Sequence, residues 1–318
     1  MNPGSPSVTA QRVAAYRVGF DRLPASFGDG GADDALARDV AGGVTVEPAE
    51  DMGRYLKVRT SFFDRVVVNA LKRDVAQVVA LGAGYDGRCL RYALPGVRWF
   101  EVDHPDTQSD KRMRLERLGI GTPQVTFVAA DFGDDGLASS LLEAGYDPDS
   151  SSVICCEGVA VYLDRSLLQS LLCEMRAIST IGTRLAISLS VSPTSADQSA
   201  RRERFRAAVS AVGEPARSDL TPEQAGELFA STRWQAVELS ERARNAGLVV
   251  AAPVWEPRSI EIGPTEDVAA RACATLSQEG EPRLGDKPAV ASSSLYPAVR
   301  EKSSRSCTRR PVRRMALW

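Results

Sequence analysis

The sequence is poor in the residues that define several protein classes. It has one histidine and six cysteines without regular spacing in 318 residues, so we expect neither a metal site nor a disulfide framework. No apolar run approaches the roughly 20 residues of a membrane span. A net charge of -2 gives no reason to expect a nucleic-acid partner. Residues 1–9 lack the apolar centre of a signal peptide, so we expect a cytoplasmic protein without a membrane partner.

The remaining composition is that of an ordinary globular protein. Hydrophobic residues make up 43% and charged residues 25% of the chain. Residues 257–318 differ, because they carry proline, serine, glycine and basic residues without periodicity. We predict a helical N-terminal cap over residues 1–75, a core over residues 76–256 that belongs to the same domain, and a disordered basic tail over residues 257–318.

The most informative stretch is a short apolar run that ends in a glycine-rich turn. Gln77 to Leu81 is rich in β-branched residues, as expected of a strand that is buried on both faces. Gly82 and Gly84 follow and permit backbone torsions and close approaches that a Cβ atom would prevent. The next strand ends near Asp103, which is placed to accept hydrogen bonds from ribose hydroxyls. The stretch predicts a nucleoside site at the carboxyl ends of parallel strands.

The glycine turn alone does not identify the nucleoside. Residues Gly82 to Gly87 match the G-x-G-x-x-G motif of dinucleotide-binding domains, which an acidic residue follows at the end of the next strand. An NAD-dependent oxidoreductase is therefore one hypothesis. The chain has no Tyr-x-x-x-Lys and no paired histidines for hydride chemistry. Glycine-rich turns after a first strand also serve S-adenosylmethionine. A non-catalytic cofactor-binding scaffold, whose basic tail docks on an acidic partner, is the third hypothesis.

Strand and helix patterns alternate through the core, which predicts an α/β fold with a doubly wound, mostly parallel sheet. Two closely spaced strands at its end predict an antiparallel edge strand. The predicted strands cover residues 77–81, 98–102, 124–130, 152–156, 184–189, 234–239 and 248–252. The predicted helices cover residues 10–22, 51–72, 107–118, 165–178, 196–212 and 222–231, with a short helix ending near residue 94 and another within a mobile segment at residues 26–43.

Acidic residues end three successive core strands. Asp103, Asp131 and Glu157 would meet at one edge of the sheet, where open α/β sheets bind ligands. Acids also suit turns, so each residue alone has a purely structural interpretation. Behind a glycine turn, the three together favour a nucleoside pocket. In this interpretation Asp103 contacts the ribose, Asp131 contacts the adenine amino group, and Glu157 lies near the methionine moiety.

Three further residues are candidates for binding or catalysis. The guanidinium of Arg59 suits a ligand carboxylate, although its position alone favours a surface residue on an amphipathic helix. His104 lies at the predicted pocket rim and is either a base or a structural contact. Tyr162 either lines the acceptor site or packs against its neighbours.

Five short motifs stand in order between residues 58 and 163. They are Val-Arg-Thr-Ser-Phe-Phe-Asp at 58–64, Leu-Gly-Ala-Gly-Tyr-Asp-x-Arg at 81–88, Phe-Glu-Val-Asp-x-Pro at 100–105, Asp-Lys at 110–111 and Glu-Gly-Val-x-x-Tyr-Leu at 157–163. In their order and spacing these motifs resemble those of the leucine carboxyl methyltransferase family. The chain is most similar to the bacterial branch of that family, which consists of S-adenosylmethionine-dependent methyltransferases. The opening at residues 9–17 and the ending at residues 240–247 also resemble that branch, so the similarity covers about residues 9–255.

The resemblance implies a class I methyltransferase with a Rossmann-like fold. Arg59 would hold the methionine carboxylate, Phe132 would contact the adenine beside Asp131, and Arg17 would reach the cofactor carboxylate or the acceptor. Gly87 stands where the family usually has threonine, so one hydroxyl contact near the cofactor would be absent. The cofactor-binding residues that follow are Arg17, Arg59, Gly82, Gly84, Asp103, Asp131, Phe132 and Glu157.

We therefore predict methyl transfer from S-adenosylmethionine to an oxygen of a small-molecule acceptor, by in-line displacement. A carboxylate acceptor is ionised at neutral pH and needs no base. A phenol would need one, for which His104 or Tyr162 are the catalytic candidates. The scarcity of histidine favours the carboxylate. The sequence specifies neither the acceptor nor the oligomeric state.

Overall fold

The computed structural model describes residues 4–25, 27–46, 49–133, 136–192, 196–238 and 246–254. The predicted tail at residues 257–318 and residues 240–245 of the resembling ending lie outside the described residues. The described residues belong to one compact unit, Met1–Pro257. Among them, no helix combines the length and the apolar character needed to cross a membrane.

Seven strands form one sheet, and each was predicted to within about two residues at either end. The strands are β1 (Gln77–Leu81), β2 (Arg98–Asp103), β3 (Val125–Ala129), β4 (Ser152–Cys156), β5 (Arg184–Ser188), β6 (Trp234–Glu238) and β7 (Leu248–Pro253). Their order in the sheet is β3-β2-β1-β4-β5-β7-β6. The first five strands are parallel, whereas β7 pairs antiparallel with both β5 and β6. The predicted α/β class is confirmed, and the antiparallel strand β7 is inserted between β5 and the outermost strand β6.

Helices cover both faces of this sheet. They are α1 (Val8–Arg17), α2 (Gly30–Ala41), α3 (Glu50–Leu71), α4 (Arg88–Arg91), α5 (Pro105–Arg117), α6 (Leu137–Glu143), α7 (Arg165–Ala177), α8 (Ala196–Ser210) and α9 (Pro222–Ser231), with a 3₁₀ turn at Ala160–Tyr162. Alternate residues of β1 point to opposite faces, so Val78 packs beneath the helices of the N-terminal segment and Val79 beneath α7 and α9.

Three local predictions differ from the structure. Helix α1 begins two residues earlier than predicted, because the Ser7 side chain caps it by accepting a hydrogen bond from the backbone N–H of Ala10, and it ends at Arg17 rather than at Arg22. The short helix predicted within a mobile segment at residues 26–43 is the 12-residue helix α2, which Asp29 caps and which buries Leu36 and Val40. Helix α6 was not predicted, since it is seven residues long and has no side-chain cap in the structure.

The strand register positions the site. Leu81 at the end of β1 pairs with Val102 of β2 on one side and with Cys156 of β4 on the other. The residues that follow these three partners therefore leave the sheet at the same height. Gly82, Asp103 and Glu157 are consequently neighbours at one edge, as the strand-end pattern predicts.

Candidate functional site

A cavity of about 2370 Å³ opens where these strands end. Residues from the N-terminal helices, from α8 and α9 and from the segment after β5 also line it. All the side chains and glycines predicted for the site lie on this wall: Arg17, Arg59, Gly82, Gly84, Asp103, His104, Asp131, Phe132, Glu157 and Tyr162. The structure thus brings the predicted residues together, while the role of each one stays a prediction.

The glycine turn after β1 has a backbone that only glycine adopts easily. Gly82 and Gly84 have φ values of +61° and +50°. A Cβ atom on Gly82 would lie 2.2 Å from Cγ2 of Val159, and one on Gly84 would lie 3.0 Å from Cβ of Ala10 in α1. Both positions therefore need glycine for the backbone conformation, and Gly82 also needs it for space.

Asp103 ties the second strand to this turn. One carboxylate oxygen accepts a hydrogen bond from the backbone N–H of Gly84, and the other accepts one from that of His104 at 2.7 Å. Burial raises the pKa of Asp103 to about 6, although the two backbone donors oppose the shift. The carboxylate keeps further acceptor capacity, since each oxygen has two lone pairs.

Glu157 is surrounded by arginines. Its carboxylate accepts hydrogen bonds from Arg17 Nη2 at 2.9 Å, Arg59 Nε at 3.0 Å and Arg88 Nη1 at 2.6 Å. Burial acts to raise the pKa of Glu157, but the positive charges of Arg88, Arg17 and Arg59 outweigh it and hold the pKa well below its ordinary value. Glu157 is therefore a permanent anion at neutral pH.

These contacts extend into a buried arginine–carboxylate cluster behind the cavity wall. Asp64 binds Arg22 and Arg88, each at 2.7 Å. Asp33 in turn binds Arg22 at 3.1 Å and Arg91 at 2.5 Å. We use the name arginine–carboxylate cluster for Arg17, Arg22, Arg59, Arg88, Arg91, Asp33, Asp64, Asp86 and Glu157.

The arginine–carboxylate cluster has one more arginine than carboxylates. The additional positive charge is neutralised by Asp34, a half-exposed residue that binds Arg91 and does not line the cavity. At the cavity end, Nε of Arg17 is buried and has no hydrogen-bond partner among the residues that the structure describes. A buried donor without an acceptor is costly, and here it lies on a cavity wall. This end of the cavity is suited to an anionic group.

Comparison with known proteins agrees with this arrangement. The family model described as leucine carboxyl methyltransferase matches residues 26–176. Over these residues, slightly less than half of its length, the chain is similar to the leucine carboxyl methyltransferase family. The match contains α2, α3 and the strands β1 to β4, and with them most of the residues of the arginine–carboxylate cluster.

Curated relatives carry a name of the same kind. A "Putative S-adenosyl-L-methionine-dependent methyltransferase" of Mycobacterium avium (strain 104) is 35% identical over 194 residues, which are 60% of this chain and 61% of that protein. A protein of the same description from Parafrankia sp. (strain EAN1pec) is 39% identical over 149 residues, 46% of this chain and 48% of its own length. The chain thus spans about half to three-fifths of the length of these relatives.

A solved structure supports the fold. The crystal structure of a "putative methyltransferase" from Thermobifida fusca YX superimposes with a TM-score of 0.53 at 16% identity, covering 80% of this chain and 97% of that one. At this identity the likeness concerns the fold alone. Together with the strand order, it confirms the class I methyltransferase architecture that the resemblance implies.

Gly87, where the resemblance leads us to expect threonine, faces the side chain of Asp33 from α2. A Cβ atom on Gly87 would lie 2.0 Å from Oδ1 of Asp33, so the carboxylate fills the space that a side chain would need. The hydroxyl of a threonine is absent, and the arginine–carboxylate cluster reaches the glycine turn instead.

The two candidate bases are engaged in other contacts. His104 caps α5, because its Nδ1 accepts a hydrogen bond from the backbone N–H of Asp106 at 3.3 Å. Burial raises the pKa of Tyr162, which lies close to Thr9 and Glu214. Tyr162 is therefore neutral near pH 7 and poorly suited to take a proton. Within the described residues, no group of three or more His, Cys, Asp or Glu is placed to hold a metal ion.

The far end of the cavity is more open. Asp131 is exposed, and its Oδ1 accepts a hydrogen bond from the backbone N–H of Gly133 at 2.9 Å. Phe132 is half-buried and would lie 3.7 Å from a Cβ atom on Gly82. An exposed carboxylate and an aromatic ring thus flank the mouth of the cavity next to the glycine turn.

The inner members of the arginine–carboxylate cluster were not among the predicted site residues. Asp64 and Arg88 stand within two of the family motifs, so the motifs contained a signal for them. Arg22 and Asp33 lie outside those motifs, in segments without clear periodicity. Asp33 reaches the arginine–carboxylate cluster because α2 packs against α4 and beside Gly87, and Arg22 reaches it from the connection between α1 and α2.

Proposed function

We propose that this protein binds S-adenosylmethionine and transfers its methyl group to an oxygen of a small-molecule acceptor. The observation that carries the proposal is the shared cavity wall, where a glycine turn, the carboxylate of Asp103 and the Glu157–arginine contacts stand side by side. The family match and the printed names of the relatives support the same activity.

The donors and acceptors on the wall fit the two ends of this cofactor. Asp103 would accept hydrogen bonds from the ribose hydroxyls, and Asp131 with Phe132 would contact the adenine. At the other end, Glu157 would face the methionine ammonium. The unpartnered Nε of Arg17 would donate to the methionine carboxylate together with the guanidinium of Arg59.

The glycine turn fits an adenosyl sulfonium compound better than a dinucleotide. A dinucleotide places its pyrophosphate on the N-terminus of the helix after the turn. Here that helix, α4, has only four residues, and the backbone N–H of Arg88 already donates to Oδ1 of Asp86 at 3.0 Å. The carboxylate of Asp86 would repel a pyrophosphate.

Bound S-adenosylmethionine supplies a methyl group on a positively charged sulfur, which is a strong electrophile. The chain's part is to align donor and acceptor and to exclude water. Helices α1, α3 and α8 contribute apolar and aromatic side chains to the cavity, among them Tyr16, Tyr55 and Phe205. Because His104 serves as a helix cap and Tyr162 stays protonated, we favour a carboxylate acceptor, which needs no base.

Calorimetric titration of the full chain tests the cofactor. We expect S-adenosylmethionine and S-adenosylhomocysteine to bind and NAD not to bind. Asp103→Asn should weaken both adenosyl ligands at least tenfold. Asp106→Asn is the matched control, because Asp106 lines the same cavity but caps a backbone N–H of Gly4. NAD binding without adenosyl binding would overturn the proposal.

A second experiment tests the reaction. Host extract incubated with the protein and methyl-labelled S-adenosylmethionine should yield a labelled small molecule, identified by mass spectrometry. A methyl ester, which mild alkali removes, is the product expected of a carboxylate acceptor. An alkali-stable aryl ether would indicate a phenol instead. Binding of a partner that depends on residues 257–318, with no acceptor ever methylated, would favour the scaffold hypothesis.

A further inference from the structure

Arg88 makes an unusual number of contacts for a residue that does not line the cavity. Its side chain is 2% exposed. Its guanidinium donates to Asp64 at 2.7 Å, to Asp86 at 2.5 Å and to Glu157 at 2.6 Å. It also donates to the backbone carbonyl of Thr60 at 3.1 Å.

These four contacts join three separate parts of the fold. Asp64 and Thr60 belong to α3, which also carries Arg59. Asp86 belongs to the glycine turn, and Glu157 follows β4. The guanidinium is planar and presents its donors in a fixed fork, so it sets the relative positions of its partners more strictly than an ammonium would.

We propose that Arg88 is the positioning residue for the methionine end of the cofactor site. It holds Glu157 so that one carboxylate oxygen, Oε2, is turned to Arg88, whereas Oε1 is turned to Arg17 and Arg59 on the cavity wall. By binding the backbone of α3 one residue from Arg59, it also fixes the base of that arginine. This inference rests on the proposed function, since it concerns how the same site recognises its ligand.

Arg88 is suited to this role because its partners leave it little freedom. The ring of Phe63 lies 5.7 Å from its Cζ atom, and its carboxylate partners keep its pKa well above the ordinary value although burial opposes the shift. Arg88 therefore stays charged and in place. Its influence should reach only the ligand groups that meet Glu157 and Arg59, and not the adenosine at the other end of the cavity.

Two ligands separate these ends. S-adenosylhomocysteine and 5′-methylthioadenosine share the adenosine and the thioether, but only the first carries the amino-acid group. In Arg88→Lys we expect the affinity for S-adenosylhomocysteine to fall at least tenfold and that for 5′-methylthioadenosine to change less than twofold. A lysine keeps the charge and can no longer hold three carboxylates at once.

Arg91→Lys is the matched control. Arg91 belongs to the same arginine–carboxylate cluster, but it binds Asp33 and Asp34 and makes no contact with Glu157. Both ligands should bind this variant within twofold of the wild type. An equal loss of both ligands in Arg88→Lys would show a general structural role and overturn the proposal, as would an unchanged affinity for S-adenosylhomocysteine.

Two further variants keep the test decisive. If Arg88→Lys does not fold, Asp86→Asn weakens one of the contacts that hold Arg88 and should show the same selectivity with a smaller loss, about threefold. In a Glu157→Gln background, adding Arg88→Lys should change the ratio of the two affinities less than it does in the wild type, because, of the two contacts that position Glu157 and Arg59, only that with the Thr60 carbonyl of α3 remains to be lost. If the wild-type protein binds neither ligand, the proposed function is wrong. If the wild-type protein binds both ligands and Arg88→Lys weakens them equally or not at all, only the inference about Arg88 is wrong.

Discussion

The two ends of the cavity are built in different ways. At one end, the side chains of Glu157, Arg17 and Arg59 are buried, and both arginines donate charged hydrogen bonds to Glu157. At the other end, Asp131 is exposed and accepts a hydrogen bond from the backbone N–H of Gly133. The stability of the fold should therefore depend on the charged groups at the first end and very little on the charge of Asp131 at the second. Substitutions at the first end should therefore change both stability and binding, whereas those at the second should change binding alone.

Asp64→Asn should show the largest effect on stability. Asp64 is fully buried between Arg22 and Arg88, which hold its pKa below the ordinary value although burial opposes the shift. Removing its charge leaves two buried guanidinium groups under-compensated, which costs about 3–5 kcal/mol. Urea unfolding measures the loss. Asp131→Asn, the same change at the open end, should stay within about 0.5 kcal/mol of the wild type. Similar losses in both variants would contradict the comparison.

Gly82→Ala should come next. The substitution places a Cβ atom 2.2 Å from Val159 and forces alanine to adopt a φ of +61°. The left-handed backbone costs about 1–2 kcal/mol and the clash about 1–3 kcal/mol more. Gly96→Ala separates the two, because Gly96 has a φ of +87° and nothing within 4 Å of its added Cβ. If both variants lose the same stability, the contact with Val159 carries no cost.

The affinity for S-adenosylhomocysteine should depend on pH through Asp103. Burial raises the pKa of this carboxyl to about 6, so it is ionised at pH 7 and becomes protonated as the pH falls through 6. A protonated acid loses acceptor capacity for ribose hydroxyls, and the affinity should fall by up to about tenfold per pH unit below 6. Because the folded pKa lies above the unfolded one, protonating Asp103 favours folding, so this loss is not unfolding. Calorimetry from pH 5 to 8 should show the fall in the wild type and not in Asp103→Asn.

Substitution of His104 should show the smallest effect. As a helix cap, His104 replaced by alanine should cost about 0.5–1 kcal/mol of stability, and His104→Asn should restore it, because asparagine is a preferred cap. Thermal unfolding measures both. Once an acceptor is known, His104→Asn should keep the methyl-transfer rate within a few-fold of the wild type. A hundredfold loss with unchanged stability would identify His104 as a base.

Sequence reasoning was most successful where the information is local. Apolar runs fixed the strands, and parallel pairing then placed Gly82, Asp103 and Glu157 at one edge. The capping box of α9, with Thr221 and Gln224, was likewise predictable from spacing.

The arginine–carboxylate cluster was less predictable, because its members meet only through tertiary packing. Charged residues such as Arg22 and Asp33 are ordinarily on the surface, so their type argues for exposure rather than burial. The burial of Arg59 was unpredictable for the same reason. Its position on α3 is typical of a surface residue, and only the folded chain brings Glu157 beside it. Family resemblance, rather than periodicity, indicated its importance.

The absence of a side chain at Gly87 links two distant positions of the chain. Any residue larger than glycine there must displace the Asp33 carboxylate, which would then release Arg22 and Arg91. In a homologue with threonine at this position, the facing residue of the second helix must be smaller or withdrawn. Residues 33 and 87 should therefore vary together among homologues, and a substitution at one position will require a compensating substitution at the other.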